Sequence, residues 1–505
     1  MATQPPTPDR GAASAQRGAA WKALAPLSGR DDGAALLQIV LETELPVSLP
    51  VGGGNLFYLA GGCFSRDRRI ERVEVIVNGT ATSATAHSID RPDLAEAFAG
   101  DQELFRQARE CGFWALVRVP PVESETEAGV DLRVTSSDGA RLIYRLGTIA
   151  LAPGLVGIER DTLPAPSSSA AGQLRVTICM ATHNPPLELF RRQIESIRGQ
   201  SYENWTCIIS DDASAPEALA GMREILGEDA RFALMAFSER KGFYHNFERA
   251  LSLAPADSVY IALSDQDDFW YPEKLGKLVD RFDSETMLVY SDMRIVAASG
   301  AVLSDTYWTT RANNSTDFCS LLLANSVTGA ASLFRRELLG QCLPFPTRVG
   351  YLFHDHWIAV MAMLMGKIAY VDEPLYDYIQ HGANIIGHAA PLRPPFSRMI
   401  IESFRAMRSV DGRRMAREIY LAQVLKIRAM SSAALMRVGD GVRRGRRRTL
   451  LRLASLDRSV YTLVWLMLRG LKDRGAKSVT IGAEYHLSLG VMWKHYVSWR
   501  RPPRP

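Results

Sequence analysis

Apolar residues follow three different rhythms along the chain, and each predicts a different architecture. Between about Leu36 and Leu151 they fall in short runs rich in Val, Ile, Thr and aromatic residues: Leu36–Leu45, Asn55–Phe64, Arg69–His87, Phe113–Pro121, Val130–Ser137 and Arg141–Leu151. Regularly spaced short strands with turn residues between them predict a β-sandwich. Asn78-Gly79, inside the third run, has the chemistry of a two-residue type I′ hairpin. One interruption, Arg91–Glu110, reads as a helical connection.

From Arg175 the rhythm changes to strand–helix alternation. Strand Arg175–Thr182 is followed by helix Leu187–Gln200, Trp205–Asp212 by Pro216–Leu226, Arg231–Phe237 by Phe243–Ala254, and Ser258–Asp268 by Pro272–Phe282. Met287–Val296, Ser320–Leu338, Asp355–Leu364 and Lys367–Ile379 complete the segment. This pattern predicts an α/β fold with a Rossmann-like, mostly parallel, doubly wound sheet. The third rhythm lies near the end, where Leu453, Leu456, Val460, Leu463, Met467 and Leu471 recur at three- or four-residue steps as one apolar helical stripe. The expected organisation is a disordered arm over 1–33, a β-sandwich over 34–160, a linker over 161–173 centred on Ala165–Gln173, the α/β domain over 174–390, and a basic helical region over 391–505.

Composition narrows the class. The 505 residues are 47% hydrophobic and 23% charged, a globular balance that excludes a collagen-like or wholly disordered chain. No window reaches the roughly 18 uninterrupted apolar residues of a membrane-spanning helix, and the first twenty residues lack the apolar core of a secretory signal. The six cysteines are scattered without a C-x-x-C pair, which predicts reduced thiols and a cytoplasmic setting rather than a disulfide framework or zinc ribbon.

Charge is strongly asymmetric. Residues 391–505 hold 25 Lys/Arg against 7 Asp/Glu, a net of +18, so the rest of the chain carries 4 − 18 = −14. Arg443, Arg444, Arg446, Arg447 and Arg448 precede the apolar stripe. A basic amphipathic helix of this kind suits an anionic bilayer surface, each basic residue contributing about 1 kcal/mol; the alternative is a stripe packed on the catalytic domain with its arginines exposed. No nucleic-acid-binding pattern accompanies the basic residues, so a nucleic acid partner is not expected.

Acidic residues cluster where predicted strands end: Asp211 and Asp212, then Asp265, Asp267 and Asp268, then Asp292. In doubly wound sheets, ligands bind beyond the carboxyl ends of the strands. Three carboxylates within Asp265–Asp268 repel one another unless a cation is bound, and oxygen ligands suit Mg²⁺ or Mn²⁺. Mg²⁺ is usually shared with substrate phosphates, which makes a nucleoside diphosphate a natural partner. A solvated acidic turn is the bland alternative. Asp355, ahead of an apolar helix, reads either as an N-cap or as a general base. His354 and His356 form only an H-x-H pair, with no second cluster to complete a zinc site. Arg191, Arg192 and Arg198 read as a solvated helix face, and Trp270 and Tyr271 either stack on a sugar or pack the following helix.

Six strings occur in order: ICMATHNPP (Ile178–Pro186), SDDAS (Ser210–Ser214), SDQDDFWYPEKL (Ser264–Leu275), NSVTGAASLFRRELL (Asn325–Leu339), FHDHWIA (Phe353–Ala359) and QHGANIIGH (Gln380–His388). Through them residues 174–390 resemble a family 2 glycosyltransferase of GT-A fold, in particular its rhamnosyltransferase-like group. The resemblance implies that Asp265 and Asp267 contact the donor ribose and the metal-bound diphosphate, with Asp268 adjacent. It implies that Thr182 and Asp212 line the base pocket, that Lys241 and Asn246 bind donor, that Asp355 is the general base and that His381 is a further metal or diphosphate contact. Trp270, Thr328, Gly329, His356 and Trp357 would face the acceptor. The chain departs from the pattern at Glu239-Arg240-Lys241-Gly242, where many relatives have Asn before Gly, and at His356, where a Trp is often found.

The resulting expectation is an inverting, Mg²⁺- or Mn²⁺-dependent transferase, peripheral on the inner face of the cell membrane. It would move a sugar, rhamnose from dTDP-rhamnose in the first instance, to a hydroxyl of a surface polysaccharide or lipid-linked glycan. The alternatives are a hexose or galactofuranose donor on the same scaffold, or a catalytically silent glycan-binding scaffold. A nucleotidyltransferase is disfavoured because no Gly-rich phosphate loop with a following Lys is present.

Overall fold

The computed structural model describes residues 21–27, 36–155, 172–380, 401, 403, 405–439, 441–471 and 477–499. They fall into two compact units, one of residues up to Gly154 together with those from Trp493 onward, the other from Leu155 to Met492.

The first unit is the expected pair of sheets. One has the order β1 (Lys22–Leu24), β2 (Leu37–Leu41), β4 (Asn55–Ser65), β8 (Gly112–Val119), β7 (Ala86–Ile89); the other runs β3 (Ser48–Pro50), β10 (Arg141–Ala152), β9 (Thr126–Ser136), β5 (Ile70–Val77), β6 (Thr80–Ser83). Alternate residues of β9 are buried, the period-two signature of a strand with one face on a core. Phe57, Leu59, Val75, Phe113, Leu132 and Tyr144 are among the residues that fill the space between the sheets. Asn78 and Gly79 both have positive φ, as a type I′ turn requires, and the β5–β6 pairing closes across them. The connection over 91–110 ends in α1 (Gln102–Arg109), where Asp101 Oδ1 accepts from the N–H groups of Glu103 and Leu104 at 3.0 and 3.1 Å. The arm expected to be disordered over 1–33 contains an ordered piece: Lys22–Leu24 pairs with β2, and Trp21 packs edge-on against Phe64 and Phe98. Local composition misses this strand because its partners lie in later strands and turns. The remainder of the arm, and the linker up to residue 171, lie outside the described residues.

The second unit is built on a mixed sheet. Its strands are β11 (Val176–Thr182), β12 (Trp205–Asp212), β13 (Phe232–Phe237), β14 (Tyr260–Ser264), β15 (Phe269–Trp270), β16 (Thr286–Ala297), β17 (Val302–Ser304), β18 (Ser332–Arg335) and β19 (Lys367–Gln380), in the order β13-β12-β11-β14-β18-β16-β19-β15 with β17 on β16. The first four are parallel, β18 is antiparallel to both its neighbours, and β16 and β19 are parallel again. The sheet is thus parallel on the side that begins the domain and mixed beyond β14. Strand β12 is buried along its whole length, as a strand covered on both faces must be. The helices of the parallel part are α2 (Leu187–Arg198), α3 (Pro216–Leu226) and α4 (Gly242–Ser252); α2 buries Phe190, Ile194 and Ile197 at helical spacing. The winding reverses between β11 and β14, so the crevice beyond their carboxyl ends is where such sheets bind ligands. Three further helices matter to that crevice: α5 (Lys274–Val279), α6 (Phe318–Leu323) and α7 (His354–Met365).

Among the described residues, helical backbone at 405–408 is followed by α8 (Val410–Ile419), α9 (Leu425–Val438), α10 (Arg444–Ala454), α11 (Val460–Gly470) and α12 (Ala483–Trp499), with a π-helical turn at Tyr420–Val424. The single apolar stripe expected from Leu453 to Leu471 is corrected here. The helix ends at Ala454, and Ser459 caps a new one by accepting from Tyr461 N at 3.2 Å. The break has a cause: Asp457 is fully buried, pairing with Arg428 at 3.0 Å and accepting from the Tyr420 hydroxyl. Leu453 and Leu456 are therefore buried, while α11 exposes Val460, Tyr461, Val464 and Leu468. Among the described residues no helix is long and apolar enough to cross a membrane. All six cysteines are buried and unpaired.

Candidate active site

The carboxyl ends of β11, β12 and β14 converge, but their acidic residues do different jobs. Asp211 is fully buried and spent locally: its oxygens accept from Ser214 N at 2.9 Å, Ser214 Oγ at 2.5 Å and Thr182 Oγ1 at 3.0 Å. Asp212 reaches the next crossover, accepting from Lys241 N at 2.8 Å and Gly242 N at 2.7 Å, with Arg249 of α4 at 3.7 Å. Gly242 has φ +76, a conformation that favours glycine and lets two successive N–H groups face one carboxylate. Asp292 is buried in the same way, holding the 306–308 turn through Thr306 Oγ1 and Tyr307 N.

The Asp265–Asp268 run is different. Asp265 and Asp267 are only half-buried, whereas Asp268 is buried, accepts from Ile379 N at 3.3 Å through one oxygen and leaves Oδ2 without a hydrogen bond. Burial pushes the Asp265 carboxyl up to about 7, and the neighbouring charges of Asp267 and Asp355 push the same way. Burial, then Asp265 and Asp267, raise Asp268 further. Beneath them lies Lys274, wholly buried, its ammonium 3.5 Å from the Trp270 ring centroid and 4.6 Å from that of Tyr376, and donating to Ala330 O. Its charge opposes the rise at both Asp265 and Asp268. Gln266 ties this loop to the end of β11 by accepting from His183 N at 2.9 Å, and His183 Nδ1 lies 2.8 Å from Asp212 O.

Asp355 belongs to a different element, helix α7. It is the second residue of α7; the N-cap is Phe353, so the N-cap reading of Asp355 does not hold. Its Oδ1 accepts from His356 N at 2.6 Å. Burial pushes its carboxyl up to about 6, opposed by the backbone N–H groups of His356 and Gly329 and by the charges of Lys426 and Arg311. Gly329 abuts this helix start: a β-carbon there would lie 3.1 Å from His354 Nε2, 3.6 Å from the Asp355 β-carbon and 3.6 Å from Leu263 Cδ1 of β14. Gly329 thus packs between the start of α7 and the end of β14, and the charge of Asp355 reaches Asp265.

Several expected contacts are used elsewhere. Asn246 is buried, accepting from Ser210 Oγ at 2.6 Å and donating to Thr182 O and Ser210 O at 3.2 and 2.8 Å, so it fastens α4 to the sheet rather than facing a donor. The Thr182 hydroxyl is buried on Asp211. The Lys241 side chain is exposed and pairs with Glu239 at 3.3 Å; its backbone N–H is the part that meets Asp212. Trp270 is buried under Lys274 and packs the following helix. Trp357 is core, donating to Cys342 O at 3.0 Å. His356 turns away to α6, with Nε2 2.9 Å from Leu321 O, and burial drives its imidazole well below the usual range. His354 is buried against the Phe247 ring at 3.8 Å, and neither histidine faces a cation site. His381 lies outside the described residues.

Among the described residues no group of three or more His, Cys, Asp or Glu is arranged to hold a metal ion. Two half-buried carboxylates beside an unpartnered Asp268 oxygen nonetheless fit a hard divalent cation that completes its shell with diphosphate and water oxygens.

Residues 177–343 match the family model for glycosyl transferase family 2, so the chain carries a domain of that family. An uncharacterized glycosyltransferase of Nostoc sp. is 25% identical over 220 residues, covering 42% of this chain and 66% of the relative. The glycosyltransferase-named EpsH of Bacillus subtilis is 27% identical over 219 residues, 42% of this chain and 62% of its own length. An uncharacterized protein of Sinorhizobium fredii is 28% identical over 151 residues, covering 28% of this chain and 16% of the relative. The chain thus spans less than two thirds of the length of these relatives. Among solved structures, the mannosyltransferase PcManGT of Pyrobaculum calidifontis, in complex with GDP-Man and Mn²⁺, is 18% identical with a TM-score of 0.33, covering 68% of this chain and 91% of its own. TarS of S. aureus, in complex with UDP-GlcNAc, is 13% identical with a TM-score of 0.35, covering 66% and 93%.

Proposed function

We propose that the chain is an inverting, metal-dependent glycosyltransferase that moves a sugar from a nucleoside-diphosphate donor to a hydroxyl of a glycan or lipid-linked acceptor. One observation carries this reading: the half-buried Asp265 and Asp267 lie beyond the winding reversal of a family 2 domain, with Asp355 near enough for its charge to act on Asp265. Asp267 and Asp265 would hold Mg²⁺ or Mn²⁺, which when bound offsets the charge of the departing diphosphate. Asp355 takes the proton of the acceptor hydroxyl. That oxygen bonds to the anomeric carbon as the bond to the diphosphate oxygen breaks, and the diphosphate leaves with the electron pair from the opposite face, which inverts the centre. dTDP-rhamnose is the first donor to test, on the strength of the Ser264–Leu275 string.

Thermal shifts with dTDP, UDP, GDP and CDP, each with and without Mn²⁺, test the reading. A nucleotide at 100 times its dissociation constant stabilises by about 2.7 kcal/mol. A Mn²⁺-dependent shift for one nucleotide, lost in Asp267→Ala, is expected; no shift for any of them would overturn the reading in favour of a silent scaffold.

A second element concerns location. The exposed Val460, Tyr461, Val464 and Leu468 of α11, beside the exposed Arg443, Arg444, Arg447, Arg448, Arg452 and Arg458, support peripheral contact with an anionic bilayer. Co-sedimentation with vesicles containing phosphatidylglycerol, weakened by salt and by Tyr461→Asp, is expected; absence of binding at low salt would remove this element.

A further inference from the structure

The rings expected to meet the acceptor, Trp270, His356 and Trp357, are all buried. Helix α7, which carries Asp355, is also seated on the helices after residue 400. Trp357 Nε1 and Arg437 Nη1 of α9 both donate to Cys342 O, at 3.0 and 2.8 Å, and Arg446 of α10 donates to Met363 O and, at 2.9 Å, to Gly366 O. No ring of α7 is therefore open to a sugar.

The run from Asp267 to Tyr271 differs. Asp268 and Trp270 are buried while Asp267, Phe269 and Tyr271 are half-buried, the period-two alternation of extended chain. β15 is the last strand in the sheet order; it sets Phe269 opposite Asp377 and Trp270 opposite Tyr376 of β19, and Tyr271 N continues the pairing by donating to Leu375 O at 3.0 Å. The Phe269 and Tyr271 rings lie edge to face with centroids 6.3 Å apart.

Both rings are held by neighbouring elements. Ser196 Oγ of α2 accepts from Trp270 N at 3.1 Å, and Arg192, one turn earlier on α2, places its guanidinium 5.3 Å from the Phe269 centroid. Arg294 of β16 lies 5.8 Å from the Tyr271 centroid and forks Nε and Nη2 onto the buried Asp377 at 2.8 and 2.9 Å. The Tyr271 hydroxyl donates to the same carboxylate at 2.5 Å. Donors are left over: among the described residues Arg192 makes no hydrogen bond or ion pair, and Arg294 Nη1 makes no hydrogen bond. Half-exposed rings fixed in place, flanked by uncommitted N–H groups, match the chemistry of a sugar chain, whose C–H faces suit the rings and whose hydroxyls suit the guanidinium groups. Because the rings are already held, binding orders little that is loose.

We propose that Phe269, Tyr271, Arg192 and Arg294 form the platform for the acceptor, and that the acceptor is a glycan chain of at least two sugar units lying on these rings. The proposal rests on the transferase reading and names the acceptor class for that site. A donor is gripped through its diphosphate at the carboxylates two and four residues earlier in the chain, whereas two adjacent rings suit neighbouring units of a chain.

Two measurements on the full chain test it. Labelled wild type, Phe269→Ala, Tyr271→Ala, Tyr271→Phe and Arg192→Ala are applied to an array of purified bacterial O-antigen, capsular and teichoic polysaccharides, and Kd is measured by calorimetry for any glycan retained. Phe269→Ala, Tyr271→Ala and Arg192→Ala should each weaken binding about tenfold, and Tyr271→Phe, which keeps the ring, should weaken it less. Arg192→Ala removes a side chain without a hydrogen bond, so it reports even where a ring variant is destabilised. The same proteins enter the nucleotide thermal-shift panel with Mn²⁺, where the nucleotide shift should match that of wild type. No glycan retained by wild type, or retention undiminished in the alanine variants, would overturn the proposal. Loss of the nucleotide shift in a variant whose own melting temperature is normal would also overturn it, by assigning the rings to the donor. A wild type without any nucleotide shift would instead overturn the transferase reading, and the proposal with it.

Discussion

Gly329 and His354 meet at the start of helix α7: a β-carbon on the glycine would stand 3.1 Å from His354 Nε2. That separation is tighter than ordinary contact, and His354 cannot retreat, because its ring is stacked on Phe247. Gly329→Ala should therefore shift the start of α7 slightly and Gly329→Val more, carrying Asp355 with it. A displacement of about 1 Å at a reacting group can cost on the order of 100-fold in rate. Turnover in the valine variant should fall by about that factor while nucleotide binding, measured by calorimetry, stays within error of wild type.

The rate should also depend on pH in a defined sense. As the proposed base, Asp355 would act only when ionised, and burial holds its carboxyl up at about 6. kcat should thus be at its plateau above that value and decline as pH falls through about 6. Asp355→Asn should lose about 100-fold or more at the plateau, and its residual rate should no longer show this acid limb. A pH profile from 4.5 to 8 with saturating donor reads both.

Stability carries its own acid signature from the adjacent residue. Burial drives the His354 imidazole down to about 3, from an ordinary value near 6.5, so in that window the unfolded chain binds the proton and the folded chain does not. The contribution is complete above about 6.5 and is lost as pH falls toward about 3. Asp355, held above the usual carboxylate range, contributes in the other direction, so the comparison must be made against a variant. His354→Leu should flatten the acid decline of the unfolding free energy relative to wild type, by an amount on the order of a few kcal/mol, in chemical denaturation at pH 7 and pH 5.

The Arg428–Asp457 pair offers a separate test of the C-terminal helices. Both side chains are buried and 3.0 Å apart, and the Tyr420 hydroxyl shares the carboxylate. Asp457→Asn leaves the guanidinium buried without its counter-ion, which should cost about 3–5 kcal/mol. The double change Arg428→Met with Asp457→Leu should cost less, because no charge is then stranded. Denaturant midpoints of the two variants decide between these outcomes.

Much of this was legible in the sequence wherever a feature is local. Asn78-Gly79 announces its hairpin because both residues must take positive φ, and the Ser264–Leu275 string marks the end of a buried strand. The illegible parts are set by partners far away in sequence. Nothing near Asn246 reveals that Ser210 and Thr182 will use up its amide, and nothing near Trp270 reveals that it will cover Lys274 while that ammonium bonds to Ala330. The periodicity from Leu453 to Leu471 read as one surface helix because a regular pattern does not disclose that Asp457 turns inward to Arg428.

The seating of α7 bears on how the protein can be cut. The matched family segment stops at residue 343, ahead of Asp355, and even a fragment ending at 390 would include every recognisable string while discarding Arg437 and Arg446. Such a fragment would keep the vocabulary of a transferase without the contacts that hold the helix bearing Asp355. The smallest piece worth expressing therefore runs from about residue 174 past Asp457, and domain swaps between relatives should exchange the helices after 400 together with the sheet rather than treating them as a detachable tether.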